Sequence, residues 1–253
     1  MIDIRFLKEP KLHDPLLICG LPGSGFVGKL AVDHLTKEMG ATLFAVVYSY
    51  NFPPHVIIRS DGTIDAIKNE LYYWTSKDTA NDLIFYTGDS QPITPDADYE
   101  AADRILAASQ ELGTKRVYTL AAYITGGFVN KPKVYGVATN VSVIAELKKY
   151  GVVTMTEGSI TGMNGLLVGL AKIRGMEGIS LLGETSGYII DANASKAVLE
   201  VFAKIVNLKI NMDRLDRRAK STEAVVKTLD QFHRGQESTS ESSKKDRNLS
   251  YIS

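Results

Sequence analysis

The first strong feature of the chain is LLICG, Leu16 to Gly20, a short unbroken apolar run that meets the glycine-rich turn LPGSGFVG. A helical face follows through Val27, Leu30, Ala31, His34 and Leu35. That succession predicts a buried strand, a tight turn and a helix. TLFAVVY, Thr42 to Tyr48, is the next apolar run. It completes a βαβ unit with a right-handed crossover and implies a parallel sheet.

From Val56 to Trp74 the pattern shortens and alternates, with Asp61-Gly62 where a hairpin turn favours positive φ. This predicts an antiparallel excursion. DLIFYTG, Asp82 to Gly88, returns to a buried strand. Thr94 and Pro95 then stand in N-cap and first-turn positions of a helix that stops at Gly113. Arg116 to Ala122 is a further strand, followed by the loop Thr125 to Asn130. Lys133 to Thr139 is another, leading into a helix over Asn140 to Tyr150 with Val143, Ile144 and Leu147 on one face. A helix with three glycines, Gly162, Gly165 and Gly169, runs from Ile160 to Arg174, and Ile179 to Gly187 is the last strand and its loop. Strands and helices alternate throughout, so the fold class is α/β.

The C-terminal region differs. No Gly or Pro occurs between Asp191 and Arg234, and apolar residues recur three and four apart at Val198, Val201, Ile205, Leu208, Met212, Leu215 and Ala219, then at Val226 and Leu229. Two readings fit this spacing: a coiled-coil seam for oligomerisation, or one or two terminal helices folded back on the domain. After Arg234 comes GQESTSESSKKDRN, with no apolar residue, expected to be disordered. Leu249, Tyr251 and Ile252 then restore apolar character before Ser253. The expected organisation is an α/β body over 1–190, helices over 191–234 and a tail over 235–253.

Composition narrows the function classes. Lys plus Arg and Asp plus Glu each number 29 in 253 residues, so no global field draws the chain to nucleic acid or to an anionic membrane. Cys19 is the only cysteine, which excludes an internal disulfide. Charges run through the first fifteen residues, and no apolar run reaches the roughly 20 residues of a membrane span, so a cytoplasmic location is expected.

Two phosphate-binding patterns overlap on the glycine turn. Gly23, Gly25 and Gly28 satisfy G-x-G-x-x-G between strand and helix, but the second strand ends in Tyr48, Ser49 and Tyr50, without the acid that binds ribose hydroxyls. Gly23 to Lys29 also satisfies G-x-x-x-x-G-K, but Leu30 stands where a P-loop needs a hydroxyl for Mg²⁺. A tight turn with close helix packing explains these glycines better, and no cofactor is expected.

The polar loops Asp89-Ser90-Gln91, Glu157 with Ser159, and Glu184-Thr185-Ser186 fall at or near strand ends, where open α/β sheets place ligands. His13, His34, His55 and His233 form no triad or metal spacing, so neither catalytic nor metal residues are assigned. Cys19 reads as a buried small hydrophobe. Tyr72, Tyr73 and Trp74 read as half core and half edge.

GLPGSGFVGKLAVDHL at Gly20 to Leu35, GDSQPITPDADYEAADRIL at Gly88 to Leu106, TGGF at Thr125 to Phe128, and the run from Gly158 to Thr185 resemble the PAC2 family, which includes the proteasome assembly chaperones and their archaeal homologues. The resemblance implies a three-layer αβα domain, similar to phosphorylase/hydrolase-like folds, with a C-terminal helical extension. It further implies self-association, alone or with a second PAC2 homologue, and a non-enzymatic role docked on proteasome α subunits. In the family a C-terminal hydrophobic-Tyr-X motif enters a pocket between α subunits. Here tyrosine stands third from the end, so that Tyr251 takes the hydrophobic slot and Ile252 the tyrosine slot, with Leu249 and Ser253 beside them. The alternatives are a nucleotide- or nucleoside-handling enzyme and a self-assembling scaffold.

Overall fold

A computed structural model of the chain describes residues 1–76 and 80–221. Its centre is a nine-stranded mixed sheet. The strands are β1 (Ile2–Phe6), β2 (Leu16–Cys19), β3 (Thr42–Ser49), β6 (Asn69–Trp74), β7 (Leu83–Gly88), β8 (Arg116–Ile124), β9 (Val134–Ala138), β10 (Val153–Thr154) and β11 (Glu177–Thr185). β4 (Val56–Ile58) and β5 (Ile64–Ala66) form a separate hairpin. The sheet order is β1-β3-β6-β7-β2-β8-β11-β9-β10.

β7, β2, β8 and β11 run parallel at the centre, while β1, β3 and β6 pair antiparallel on one side and β9 pairs antiparallel with β11 on the other. β2 and β3 do run in the same direction, as a βαβ unit requires, but β6 and β7 lie between them. The antiparallel excursion is what fills that gap.

Helices cover both faces. α1 (Val27–Glu38), α3 (Val141–Lys148) and α5 (Ala192–Ile205) pack on one, and α2 (Pro95–Glu111) and α4 (Gly162–Ile173) on the other. The sheet therefore separates two apolar cores. Ile18, Phe85, Tyr118 and Leu181 face the first, with Val32, Leu147 and Phe202; Leu17, Ile84 and Val117 face the second, with Ile105 and Leu167. Central strands buried on both faces must be apolar at every position, which is why LLIC and LIFY read as unbroken runs. The three-layer α/β architecture expected from the sequence is the one observed.

Two local features depart from the sequence reading. β1 lies in the charged N-terminal segment, where IDIRF alternates with Ile2 buried and Asp3 and Arg5 exposed. Glu100 accepts a hydrogen bond from the Ile2 N–H at 2.9 Å, and Arg104 donates to the Ile2 carbonyl at 3.3 Å, so α2 occupies part of this sheet edge. Thr94 precedes α2, but its side chain makes no capping bond; Pro95 starts the helix and the Thr94 carbonyl accepts from the Asp98 N–H.

The C-terminal run contains a break between helices. α5 ends at Ile205, Asn207 takes φ 54°, and a second helical run covers 213–221. The Leu208 N–H donates to the Ala203 carbonyl and the Asn207 N–H to the Lys204 carbonyl, a Schellman stop built with asparagine in place of glycine. The three-and-four spacing is thus divided between two helices. Val198 and Leu215 are fully buried in the chain's first core, and Val201, Ile205, Leu208 and Met212 pack against it half-buried.

Candidate functional site

The four parallel strands end together, and between the turns that follow them lies a cleft of about 480 Å³. Three loops build it. The first is the β2–α1 turn with Gly23 and Ser24; the second is the end of β8 from Ala121 to Ile124; the third is the 155–162 segment leading into α4, with Glu157, Ser159 and Thr161. β2 and β8 are adjacent, yet the chain reaches β8 only by crossing from β7, so the cleft sits at the strand-order reversal where α/β sheets bind ligands.

Gln91 is the hub of this region. Its Nε2 donates to the Pro22 carbonyl at 2.6 Å, and its Oε1 accepts from the Met163 N–H at 3.0 Å. One side chain thereby ties the glycine turn to the first turn of α4. A Cβ on Gly162, which has φ 69°, would stand 2.8 Å from the same Oε1. Asn164 also lines the cleft, and its Oδ1 is buried without a hydrogen-bond partner.

The glycines of the turn do different work from a phosphate cradle. A Cβ on Gly28 would stand 1.8 Å from the Leu120 carbonyl oxygen, and one on Gly20 would stand 2.2 Å from that of Gly28. These two glycines let α1 lie directly on β2 and β8. Gly25 and Phe26 adopt φ 62° and 53°, which turns the chain sharply into the helix. The Asp191 N–H donates to the Gly25 carbonyl; its carboxylate accepts from the Ala194 N–H at 2.9 Å, capping α5, and from the Thr185 hydroxyl at 2.8 Å. Lys29 points along its own helix to Asp33, at 2.7 and 2.9 Å, and Asp33 accepts also from the Thr87 hydroxyl. Lys29 therefore lies in an ion pair and does not line the cleft.

Of the polar loop residues singled out in the sequence, Gln91, Glu157 and Ser159 come together in the cleft. Asp89 instead holds the Lys68 N–H at the foot of β6. Glu184 is buried and accepts from the Lys133 N–H at 2.8 Å and the Tyr135 hydroxyl at 3.0 Å. Cys19 is fully buried, which pushes its thiol well above the usual range. His34 is buried, with Nε2 2.7 Å from the Asn211 carbonyl, pinning the connection between α5 and the 213–221 helix to α1. Tyr72 and Trp74 pack toward one core and Tyr73 toward the other, as alternation along a strand requires. Leu249, Tyr251, Ile252 and Ser253, like Val226, Leu229 and His233, lie outside the described residues.

The sequence reading missed Asn164, and it missed Asp191 as the residue that locks the glycine turn from the far end of the domain. Asp191 leaves a trace in the sequence, an N-cap residue before the helical run ANASKAV. Asn164 leaves none.

With this architecture in hand, the chain can be set beside known proteins. The model of the PAC2 family matches residues 17–230. The chain belongs to the PAC2 family. Among solved structures, Pyrococcus furiosus PbaB, described as an archaeal proteasome activator, superposes with a TM-score of 0.85 at 41% identity, covering 90% of this chain and 98% of that one. P. furiosus PbaA, described as an archaeal homolog of proteasome-assembly chaperone, superposes with a TM-score of 0.74 at 27% identity, covering 99% of both chains. In sequence the chain is 39% identical over 225 residues to the uncharacterized protein MJ1210 of Methanocaldococcus jannaschii, covering 88% of this chain and 86% of that one. The glycine turn, the end of β8 and the 155–162 segment, which together build the cleft, all fall within the PAC2 match.

Proposed function

We propose that this PAC2 protein works in the cytoplasm as a self-associating factor that docks on the α-ring of the proteasome and performs no chemistry of its own. The observation that carries this reading is the likeness to PbaB, which extends over nearly the whole of that chain at 41% identity. The site geometry supports it. A Cβ on Gly28 would stand 1.8 Å from the Leu120 carbonyl oxygen, and Lys29 is taken by Asp33, so these two residues of the apparent nucleotide loop serve the packing of α1.

Within this reading the residues that meet the α-ring are Leu249, Tyr251, Ile252 and Ser253. An aromatic and aliphatic anchor on a polar tether suits a pocket between adjacent subunits, because the tether raises local concentration without demanding a rigid approach. The α-ring partner is met by the chain alone or together with a second PAC2 homologue.

Capture of purified proteasome α subunits by the full chain and by a chain ended at Asn248 tests both parts. Strong capture by the full chain and at least about tenfold weaker capture by the shortened one is expected, a loss of about 1.4 kcal/mol. Equal capture removes the tail from the account, and no capture by either removes the partner. The enzymatic alternative rests on the cleft and its unpartnered Asn164 Oδ1. Calorimetric titration with ATP, NAD and nucleosides decides it, since tight binding that disappears in Asn164→Ala would establish a ligand site in the cleft.

A further inference from the structure

No cation lines the strand-end cleft. Among the described residues neither Lys, Arg nor His borders it, and Glu157 is its one charged side chain. A second carboxylate stands close behind its wall. Glu184 is 9% exposed, accepts from the Lys133 N–H and the Tyr135 hydroxyl, and has no ion-pair partner among the described residues. A buried charge is ordinarily paired, so this carboxylate is the unusual one. Its register partner on the adjacent strand is Tyr123, which lines the cleft. Neighbouring strands lie about 4.8 Å apart, which brings the Glu184 charge to bear on that wall.

The wall itself is held in place. The ring of Tyr123 lies 4.3 Å from that of Tyr135, tilted by 31°, and Tyr135 is fixed in turn by its 3.0 Å hydrogen bond to Glu184. The face of an aromatic ring is negative and attracts cations. The open hydrogen-bonding groups agree with this. The Ser24, Ser159 and Thr161 hydroxyls border the cleft without a hydrogen bond among the described residues, and Asn164 Oδ1 is an acceptor without a donor. The first turns of α1 and α4 also reach the cleft, but at about half a charge each they set roughly one positive charge against two carboxylates. Gln91 already meets the Met163 N–H in that turn of α4. The balance is negative.

We infer that the cleft binds a small guanidinium compound, with the planar cation on the Tyr123 ring and its N–H groups shared between Glu157 and the open hydroxyls. A guanidinium suits this lining better than other cations. It is flat, so it stacks on a tyrosine; it carries five donors and no acceptor, so it meets a set of unfilled acceptors; and it pairs with a carboxylate through two parallel hydrogen bonds. An ammonium is a compact charge with three donors and no face to stack. A metal ion needs ligands that do not gather here, since no three of His, Cys, Asp and Glu come together among the described residues. A phosphate-bearing ligand would meet two carboxylates and no cation. The cleft volume of about 480 Å³ lies within the ordinary range for small-molecule sites, with room for a body of amino-acid size behind the cation. This site is separate from the docking role and stands or falls without it.

Calorimetric titration of the full chain with arginine and with citrulline tests it. The two share their α-groups and differ in a guanidinium against an uncharged urea of the same shape. Arginine should bind at least about tenfold more tightly than citrulline, and Glu157→Gln should weaken arginine at least about tenfold while leaving citrulline where it was. Glu157 is exposed and makes no ion pair among the described residues, so the thermal midpoint of the unliganded variant should match that of the parent, which separates lost binding from lost folding. Lys29→Ala, outside the cleft lining, should bind as the parent does. A second measurement reads the charge directly: arginine should raise the thermal midpoint of the parent, and added salt should diminish that rise. No heat of binding with arginine, equal binding of citrulline, or arginine binding untouched by Glu157→Gln overturns the proposal. Adenosine binding more tightly than arginine would give the cleft to an uncharged heterocycle and overturn it likewise. None of these outcomes alters the capture of α subunits, so the two proposals fail separately.

Discussion

Gly28 and Lys29 stand side by side and respond to change in opposite ways. A Cβ at Gly28 has no room 1.8 Å from the Leu120 carbonyl, and neither backbone can yield without moving a central strand. Gly28→Ala should cost about 1–3 kcal/mol or more, read from the denaturation midpoint at unchanged slope. Lys29→Ala removes a half-buried pair but leaves Asp33 with Thr87, and should cost only about 1 kcal/mol or less. If the loop held a phosphate, the ranking in a nucleotide-binding assay would be reversed, with Lys29 decisive. Burial sets the behaviour of Cys19 and Tyr86, both fully buried and both raised by desolvation, with a smaller opposing hydrogen bond from Asn69 at Tyr86. An acid whose folded-state pKa is raised keeps its proton while the unfolded chain ionises, so its contribution to stability is intact below the unfolded value and is lost as pH climbs past it. Stability should therefore fall above about pH 8.5, the ordinary range for a thiol, and more steeply above about 10, where tyrosine ionises in the unfolded chain. A thiol reagent should label native Cys19 hardly at all at pH 8 and fully once the chain is unfolded; rapid native labelling would contradict the buried placement.

At the scale of elements, what the sequence made legible was whatever left a local mark. LLICG and DLIFYTG are unbroken apolar runs because strands buried on both faces need apolar side chains everywhere, and Pro95 and Gly113 bracket α2. β1 was hidden because an edge strand exposes its alternate residues, and Asp3 and Arg5 made the segment read only as a charged stretch. The separation of β3 from β2 by two intervening strands was not legible either, since no local pattern records which strands insert between two others. The α5 stop was hidden by residue type. Asn207 does the work usually given to glycine, so the apolar spacing that continues into Leu208 and Met212 left one helix and two equally open. This yields a clear expectation: Asn207→Gly should be neutral or slightly stabilising, whereas Asn207→Val, a β-branched residue at positive φ, should cost about 1–3 kcal/mol. Asp191 is the other element-level test. It caps α5, holds the Thr185 hydroxyl and donates its own N–H to Gly25, so Asp191→Ala should cost about 2 kcal/mol in thermal or denaturant unfolding. The cleft was legible in part: Gln91, Glu157 and Ser159 were marked by their place after strands, while the bridge that Gln91 makes between Pro22 and Met163 exists only in three dimensions.

For the molecule as a whole, the layers and the strand-end cleft would equally serve an enzyme, and architecture alone does not choose. What weighs toward a docking protein is the combination of PAC2 membership, likeness to PbaB over nearly all of that chain, and glycines accounted for by packing. The most direct test is co-sedimentation of the full chain with assembled proteasome α-rings at physiological salt. The account predicts that the chain travels with the ring as a heavier, saturable complex; a chain that stays in its own fraction at every concentration, with the rings unchanged, would contradict it.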